Sequence, residues 1–205
     1  MNPFYQRAHF LAAAARLDQA PPDTGREVAF AGRSNTGKSS AINALCHQKR
    51  LARSSKTPGR TQQLIFFQLD DSRRLVDLPG YGYAQVSEAV KLRWQGLMVD
   101  YLQRRRSLVG LVLVMDVRHP LTLFDGQMLE WSRRSRLPLL LLLTKCDKLR
   151  RGPARTQLDR VRRAIAGEPG RVTLELFSAH ARQGVESVQA LLDRWLGVDE
   201  SAPDT

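Results

Sequence analysis

The sequence predicts a three-layer α/β fold, in which a mostly parallel six-stranded sheet with one antiparallel strand lies between two layers of helices. Three observations predict it. A short apolar run, 28–31, leads through a glycine-rich loop into a segment with helical periodicity. Two further runs, 108–115 and 137–143, are continuously apolar, which is typical of parallel strands buried on both faces. Segments with helical spacing of apolar residues separate these runs, so strands and helices alternate.

The remaining elements follow in order along the chain. Residues 61–69 and 74–77 predict two strands, and the turn between them is so short that they are antiparallel. Residues 172–177 predict the last strand. Apolar spacing predicts helices over residues 87–105, 124–134 and 185–196, and Pro153 is suited to the first position of another helix that ends near residue 166.

The composition indicates one globular domain without covalent cross-links. The chain has 205 residues, of which 42% are hydrophobic and 25% charged, and this is enough to bury a core. We expect an N-terminal helix and loop over 1–25, a single domain over 26–197 and a disordered tail over 198–205. Cys46 and Cys146 have no metal or disulfide spacing. No apolar run approaches the roughly 18 residues of a membrane span, so we expect a cytoplasmic protein without membrane contact.

The charge balance leaves two explanations open. The formal net charge is +12, and most of the 32 Lys and Arg residues are arginine. Guanidinium groups pair bidentately with phosphate, so this balance favours a polyanionic partner such as RNA. Biased codon usage also produces arginine-rich sequences. The arginines concentrate in clusters near 104–106, 133–136 and 150–163.

The glycine-rich loop has the spacing of a phosphate-binding loop. Residues 32–39 read GRSNTGKS, which fits G-x-x-x-x-G-K-[ST] between a predicted strand and a predicted helix. Glycines at these positions let backbone N–H groups point at phosphate oxygens beside a helix N-terminus. The lysine reaches the β- and γ-phosphates, and the following serine hydroxyl suits Mg²⁺. The expected nucleotide-binding residues here are Gly32, Arg33, Ser34, Asn35, Thr36, Gly37, Lys38, Ser39 and Ser40.

Three more polar motifs follow predicted strands, at the edge where ligands bind in such sheets. They are DLPG at 77–80, TKCD at 144–147 and FSA at 177–179. The Asp147 carboxylate can accept hydrogen bonds from N1–H and the 2-amino group of guanine, whereas adenine offers an acceptor at N1 and no 2-amino group. The motif therefore favours GTP over ATP. It argues against one possible function, that of an ATP-dependent enzyme such as a small kinase.

These motifs, in this order, resemble those of a Ras-like P-loop GTPase, and longer stretches resemble the EngB family of bacterial GTPases. The stretches are KTPGRTQ at 56–62, DLPGYGYA at 77–84, DVRH at 116–119 and TKCDK at 144–148. Thr36 and Cys146 depart from the usual valine and common alanine. The resemblance covers residues 4–196 and implies a Mg²⁺-dependent protein that binds GTP and GDP. It also implies a role in assembly of the large ribosomal subunit, whose precursor and rRNA are the partners, and in division-septum formation. We expect a monomer.

The resemblance also implies residue roles. Lys38, Thr61 and Gly80 form the catalytic set, and Mg²⁺ is held by Ser39, Thr61 and, through water, Asp77. Thr57 is the rival of Thr61 as the residue that closes the basic segment over the γ-phosphate. Beyond the phosphate-binding loop, the expected nucleotide-binding residues are Gly59, Arg60, Thr61, Gln62, Gln63, Asp77, Leu78, Pro79, Gly80, Thr144, Lys145, Cys146, Asp147, Phe177, Ser178 and Ala179.

One substitution bears on catalysis. Ras-type enzymes place a water-orienting glutamine directly after D-x-x-G, and this chain has Tyr81, which carries no amide. We therefore expect slow intrinsic hydrolysis. Two sources of the missing group remain open: a K⁺ ion near Asn35, or a ribosomal precursor that orders the loops, with Arg60 as a candidate for charge stabilisation. The alternative function is a GTP-gated RNA- or protein-binding module in which hydrolysis is incidental.

Overall fold

The computed structural model describes residues 2–53, 63–81, 88–167 and 171–198, with only the helical backbone between 88 and 95. The strands are β1 (His9–Ala14), β2 (Arg26–Gly32), β3 (Leu64–Gln68), β4 (Arg73–Asp77), β5 (Leu108–Asp116), β6 (Leu139–Thr144) and β7 (Val172–Leu176). The helices are α1 (Pro3–Gln6), α2 (Lys38–Leu45), α3 (Glu88–Arg104), α4 (Leu123–Ser135), α5 (Arg151–Ala164) and α6 (Val185–Leu196).

The strands form one sheet in the order β1-β3-β4-β2-β5-β6-β7. β2, β4, β5, β6 and β7 pair in parallel, whereas β3 is antiparallel to both of its neighbours, β1 and β4. The predicted mostly parallel sheet with one antiparallel strand is therefore confirmed. The sheet has seven strands in the described residues instead of the predicted six.

The additional strand, β1, lies inside the segment that the sequence predicts to be a helix and loop. Its sequence, HFLAAA, is rich in helix-favouring alanine. β1 nevertheless pairs with β3 from His9 opposite Gln68 to Ala14 opposite Leu64, and Ala14 is fully buried. Pairing with β3 overrides the local helix preference, because the edge of β3 offers backbone hydrogen bonds that a short isolated helix lacks.

Helices cover both faces of the sheet, which completes the predicted three layers. Residues of α3, α4 and α5 share one apolar core with the sheet, and residues of α1, α2 and α6 share the other. The N-terminal segment reaches both cores, since Tyr5 packs in the second and Leu17 against the first. No helix within the described residues is long and apolar enough to span a membrane.

A buried ionic cluster fastens α3 to the amino ends of the strands. The Glu27 carboxylate, on β2, is fully buried and accepts hydrogen bonds from Arg74 at 3.0 Å, Arg105 at 2.7 Å and the Tyr101 hydroxyl at 3.0 Å. Burial, and next the Glu27 charge, raise the pKa of Tyr101, so its hydroxyl remains a donor. The cluster lies at the opposite end of the sheet from the predicted motifs and joins β2, β4 and α3.

The helix bounds agree with the predicted ones to within one turn, with one correction. Pro153 is the third residue of α5 and not the first, because the helix begins at Arg151. The proline ring is still tolerated there, since the N–H groups of a first turn have no helical partner. Residues 199–205 of the predicted tail lie outside the described residues.

Candidate functional site

The phosphate-binding loop joins β2 to α2 through two positions that require glycine. Gly37 is the N-cap of α2 and has φ +97°, a conformation that L side chains rarely adopt. A Cβ on Gly32 would lie 2.6 Å from the Val114 carbonyl oxygen on the neighbouring strand. The loop therefore lies close against β5 and directs the first N–H groups of α2 into the cavity described below.

The loop and the TKCD motif hold each other in place. The Thr36 hydroxyl donates to the Arg33 carbonyl at 2.8 Å, and the Thr144 hydroxyl lies within hydrogen-bond distance of the Thr36 carbonyl. The Lys145 ammonium donates to the Asn35 carbonyl at 2.6 Å. Two consecutive residues of one motif thus bind two consecutive carbonyls of the other, so the phosphate-facing loop is fixed from behind.

Three of the predicted motifs border one cavity of about 330 Å³. Gln63 and Arg53 also reach it. Its lining residues are Arg33, Ser34, Asn35, Gly37, Lys38, Ser39, Ser40, Arg53, Gln63, Asp77, Leu78, Pro79, Gly80 and Lys145. Gly59, Arg60, Thr61 and Gln62, with the rival Thr57, lie outside the described residues.

The cavity is lined by a lysine, Lys38, and by two oxygen-bearing side chains, Ser39 and Asp77, of the kind that bind Mg²⁺. The Lys38 ammonium forms an ion pair with the Asp77 carboxylate, and the two side chains are 12% and 9% exposed. The Ser39 hydroxyl borders the same space. Hydroxyl and carboxylate oxygens are ligands that Mg²⁺ accepts, so the residues present fit this ion.

The D-x-x-G loop is tied to the phosphate-binding loop by the backbone. The Leu78 N–H donates to the Phe30 carbonyl at 3.0 Å, and the Ser34 N–H donates to the Tyr81 carbonyl at 2.7 Å. Gly80 lies between these bonds, and a Cβ added to it would have the Ser34 backbone at 3.7 Å. The Gly80 peptide therefore lies at the wall of the cavity beside the phosphate-binding loop.

The third and fourth motifs meet at the ends of β6 and β7. The Cys146 N–H donates to the Phe177 carbonyl at 3.2 Å, and the Ser178 hydroxyl donates to the Asp147 carboxylate at 2.6 Å. The Ser178 oxygen in turn accepts from the Ala181 N–H at 3.0 Å. The hydrogen bond from Ser178 is the main cause that lowers the pKa of Asp147, so this exposed carboxylate stays ionised and keeps a fixed orientation.

Asp116, at the end of β5, positions Lys145. Its carboxylate pairs with the Lys145 ammonium at 2.9 Å and with the Arg118 guanidinium at 2.9 and 2.6 Å. Burial raises the pKa of Asp116, but the hydrogen bonds from Arg118 and Lys145 outweigh it and the net shift is downward. The carboxylate therefore remains a counter-ion for Lys145.

Tyr81 is buried and does not border the cavity. Its hydroxyl donates to the Asp125 carboxylate on α4 at 2.7 Å, and its ring packs on Phe124 with 5.4 Å between centroids. Burial, followed by the Asp125 charge, raises the pKa of Tyr81. The other Asp125 oxygen accepts from the Thr122 N–H and hydroxyl, both at 2.8 Å, so one carboxylate caps α4 and holds Tyr81.

Comparison with known proteins agrees with this geometry. A family model described as 50S ribosome-binding GTPase matches residues 27–145. A protein of Nitrosococcus oceani named "Probable GTP-binding protein EngB" is 54% identical over 198 residues, which cover 97% of this chain and 99% of that protein. The chain belongs to the EngB family of GTPases. An Escherichia coli O139:H28 protein of the same name is 51% identical over 201 residues, 98% of this chain and 96% of the relative.

Solved structures share the fold of this EngB-family chain. A crystal structure of a probable GTP-binding protein EngB superposes with a TM-score of 0.66 at 20% identity, covering 83% of this chain and 98% of the other. The elongation factor SelB of Methanococcus maripaludis, in complex with a GTP analogue, superposes with a TM-score of 0.61 at 13% identity, covering 89% and 35%. At these identities the comparison confirms the G-domain fold.

Two carboxylates of this EngB-family site have roles that the sequence analysis missed. The sequence analysis included Asp116 in the DVRH stretch that resembles the EngB family but gave it no role, and its bond to Lys145 depends on β5 and β6 lying side by side. Asp125 follows Thr122 at the spacing of a capping box, which marks the start of a helix. That signal predicts the cap but not Tyr81, which is distant in the sequence.

Proposed function

We propose that the protein is a Mg²⁺-dependent GTPase with slow intrinsic hydrolysis that acts in assembly of the large ribosomal subunit. One observation carries the proposal. The phosphate-binding loop, the D-x-x-G motif and Lys145 of TKCD line one cavity at one edge of the sheet, and Asp147 of the same TKCD motif is held in a fixed orientation by Ser178. This is the arrangement needed to hold a triphosphate and a guanine at the same time.

The phosphates are held by the loop over residues 32–40. Its N–H groups at the start of α2 and the Lys38 ammonium supply positive potential, which favours the β- and γ-phosphates. Gly80 offers its N–H to the γ-phosphate. We assign Lys38, Gly80 and Thr61 to the catalytic set, with Thr57 as the alternative to Thr61.

Mg²⁺ is assigned to Ser39, Thr61 and, through water, Asp77. Held by these residues, Mg²⁺ would supply positive charge that neutralises the phosphate oxygens. The buried Asp77 carboxylate and the Ser39 hydroxyl at the cavity wall support this assignment.

Guanine is recognised by the motifs of β6 and β7. Asp147 accepts from N1–H and the 2-amino group, and the backbone of Ser178 and Ala179 meets O6. The Ser178 hydrogen bond to Asp147 supports this role, because it keeps one carboxylate oxygen fixed and the group ionised. Lys145, held by Asp116, covers the base.

Slow hydrolysis follows from the environment of Tyr81. Its hydroxyl is bonded to Asp125 and its side chain is buried, so it does not orient an attacking water. We propose that K⁺ near Asn35, or the ribosomal particle with Arg60, supplies the missing stabilisation. The same observation favours the second candidate function, a GTP-gated RNA- or protein-binding module in which hydrolysis is incidental.

The ribosomal role rests on the family. The matching family is described as 50S ribosome-binding. The high positive charge of this chain, +12, suits an rRNA partner in the precursor of the large subunit. A role in division-septum formation and a cytoplasmic, monomeric state complete the proposal.

The test is GTP turnover by the purified chain in Mg²⁺, with K⁺ or Na⁺, and with or without large ribosomal subunits. We expect stimulation by the subunits. Equal rates in K⁺ and Na⁺ would remove the K⁺ hypothesis, and GTP-dependent binding to subunits without stimulation would favour the gated module.

Two variants control for the base. Asp147→Asn replaces an acceptor by an amide, which can donate to the C2 carbonyl of xanthine but not pair with the 2-amino group of guanine. We expect the binding preference of Asp147→Asn to change from GTP to xanthosine triphosphate. Asp147→Ala should weaken GTP binding without strengthening the binding of xanthosine triphosphate. Undiminished GTP binding by both variants would refute the assignment of Asp147.

A further inference from the structure

Helix α5 combines a buried apolar side with an unusually basic exposed side. Ala154, Val161 and Ile165 are buried against the sheet. The exposed side carries one acidic residue, Asp159, against five arginines: Arg151, Arg155, Arg160, Arg162 and Arg163.

Arg162 pairs with Asp159 at 2.9 Å. Within the described residues, the other four arginines, including Arg151 and Arg155, make no ion pair. The arginines of α4 differ, since Arg133 and Arg134 both pair with Glu130, at 3.5 and 3.0 Å. The two helices lie on the same side of the sheet, so they form a natural comparison between neutralised and free guanidinium groups.

The free charges of α5 oppose helix formation. Arg151 is the first residue of the helix, Arg150 is its N-cap, and the first turn contains no acidic residue. A cation at the positive end of the helix dipole is unfavourable. Arg151 and Arg155 are also four residues apart, where like charges repel. The fold therefore gives no reason for these charges.

We propose that the exposed side of α5, named here the α5 arginine face and defined by Arg151, Arg155 and Arg162, binds RNA phosphates. Their spacing places the three side chains within about 40° around the helix axis and along about 16 Å of its length. A row of guanidinium forks suits successive phosphates of a nucleic-acid backbone. This inference rests on the proposed ribosomal function and assigns a surface to it.

RNA fits this face better than an anionic membrane does. A membrane-surface helix inserts an apolar side between lipids, whereas the apolar side of α5 is covered by the sheet. The face also has a defined position, because α5 follows directly after the 146–148 turn that carries Asp147. RNA bound there lies beside the end of the site that we assign to guanine.

The test compares two double variants of equal charge change. Arg151→Gln/Arg155→Gln removes free guanidinium groups, and Arg133→Gln/Arg134→Gln removes groups already paired with Glu130. Binding to large ribosomal subunits and to a fragment of their rRNA is measured between about 50 and about 200 mM salt. Losing two phosphate contacts reduces the salt-dependent change in affinity over that range by about tenfold. We expect this for the α5 variant and little change for the control.

A charge reversal separates binding from folding. Arg151→Glu places an acid in the first turn of α5, so we expect a higher melting temperature together with weaker RNA binding. A purely structural role of Arg151 predicts that both change in the same direction.

The outcomes distinguish the two levels of the proposal. If the unmodified chain binds subunits and the α5 variant binds equally well, or no worse than the control, the α5 arginine face is refuted and the proposed function stands. If the unmodified chain does not bind subunits, both are refuted. Preferential binding of the unmodified chain to phosphatidylserine vesicles over rRNA would refute the assignment to RNA.

Discussion

At the scale of single residues, Tyr81 shows how a position normally associated with catalysis serves another purpose. Its hydroxyl bonds to Asp125 and its carbonyl accepts from the Ser34 N–H. The residue therefore connects the D-x-x-G loop to α4 on one side and to the phosphate-binding loop on the other.

For Tyr81→Phe we expect basal GTP turnover within about twofold of the unmodified chain and a loss of roughly 1.5–3 kcal/mol in the free energy of unfolding, since a buried hydrogen bond to a charged group is removed. Urea denaturation and single-turnover hydrolysis measure the two quantities. A collapse of turnover with unchanged stability would instead make the hydroxyl catalytic.

Ser178 gives a prediction about pH. Its hydrogen bond lowers the pKa of Asp147 below the ordinary value of 3.8. The stabilisation that the ionised carboxylate gives is therefore fully present above 3.8 and is lost as the pH falls through the lower folded-state pKa. Ser178→Ala raises this pKa. We expect GDP binding by the variant to fail at a higher pH than binding by the unmodified chain, measured by titration on acidification.

Ser187→Ala is the matched control, because Ser187 is exposed on α6 and its hydroxyl bonds, among the residues that the structure describes, only to the Gly184 carbonyl. Identical pH profiles for Ser178→Ala and the unmodified chain would show that the hydroxyl does not tune Asp147.

At the scale of elements, two glycines predict opposite effects of the same substitution. A Cβ on Gly110 of β5 would lie 2.2 Å from the Trp195 ring of α6, whereas one on Gly126 of α4 meets nothing within 4 Å. We expect Gly110→Ala to lower the free energy of unfolding by about 1–3 kcal/mol and Gly126→Ala to raise it by about 0.5–1 kcal/mol. Chemical denaturation of both variants measures this, and equal effects would contradict the close packing of α6 on β5.

The elements also show the reach of sequence patterns. α6 was predictable because its apolar residues recur at the spacing of one covered helix face, and β5 and β6 were predictable because strands buried on both faces are continuously apolar. β1 was not, because its alanines favour a helix and only the distant β3 makes it a strand. Among the site residues, motif order predicted which loops converge. The bonds of Asp116 to Lys145 and of Asp125 to Tyr81 could not be predicted, because they join residues that are distant in the sequence and adjacent only in the folded protein.

At the scale of the whole molecule, the Glu27 cluster lies at the opposite end of the sheet from the cavity that the polar motifs border. Removing its charge by Glu27→Gln leaves, within the described residues, the buried guanidinium group of Arg74 without a counter-ion and that of Arg105 with only Asp23, at 3.5 Å. We expect a loss of about 3–5 kcal/mol in the free energy of unfolding. Asp18→Asn, which removes an exposed partner of Arg16, is the control and should leave the free energy of unfolding nearly unchanged, because water screens this pair. Comparable losses in both variants would contradict the role of burial.

The N-terminal segment has a consequence for the order of events during synthesis. β1 is translated well before its partner β3, and the Tyr5 hydroxyl bonds to Asp193, 188 residues further along the chain. While α6 is still inside the ribosomal exit tunnel, the Tyr5 hydroxyl lacks this partner. Tyr5 therefore reaches its final position late although it emerges before α6, and a nascent chain stalled with Asp193 still inside the tunnel should expose Tyr5 to protease until the chain is released.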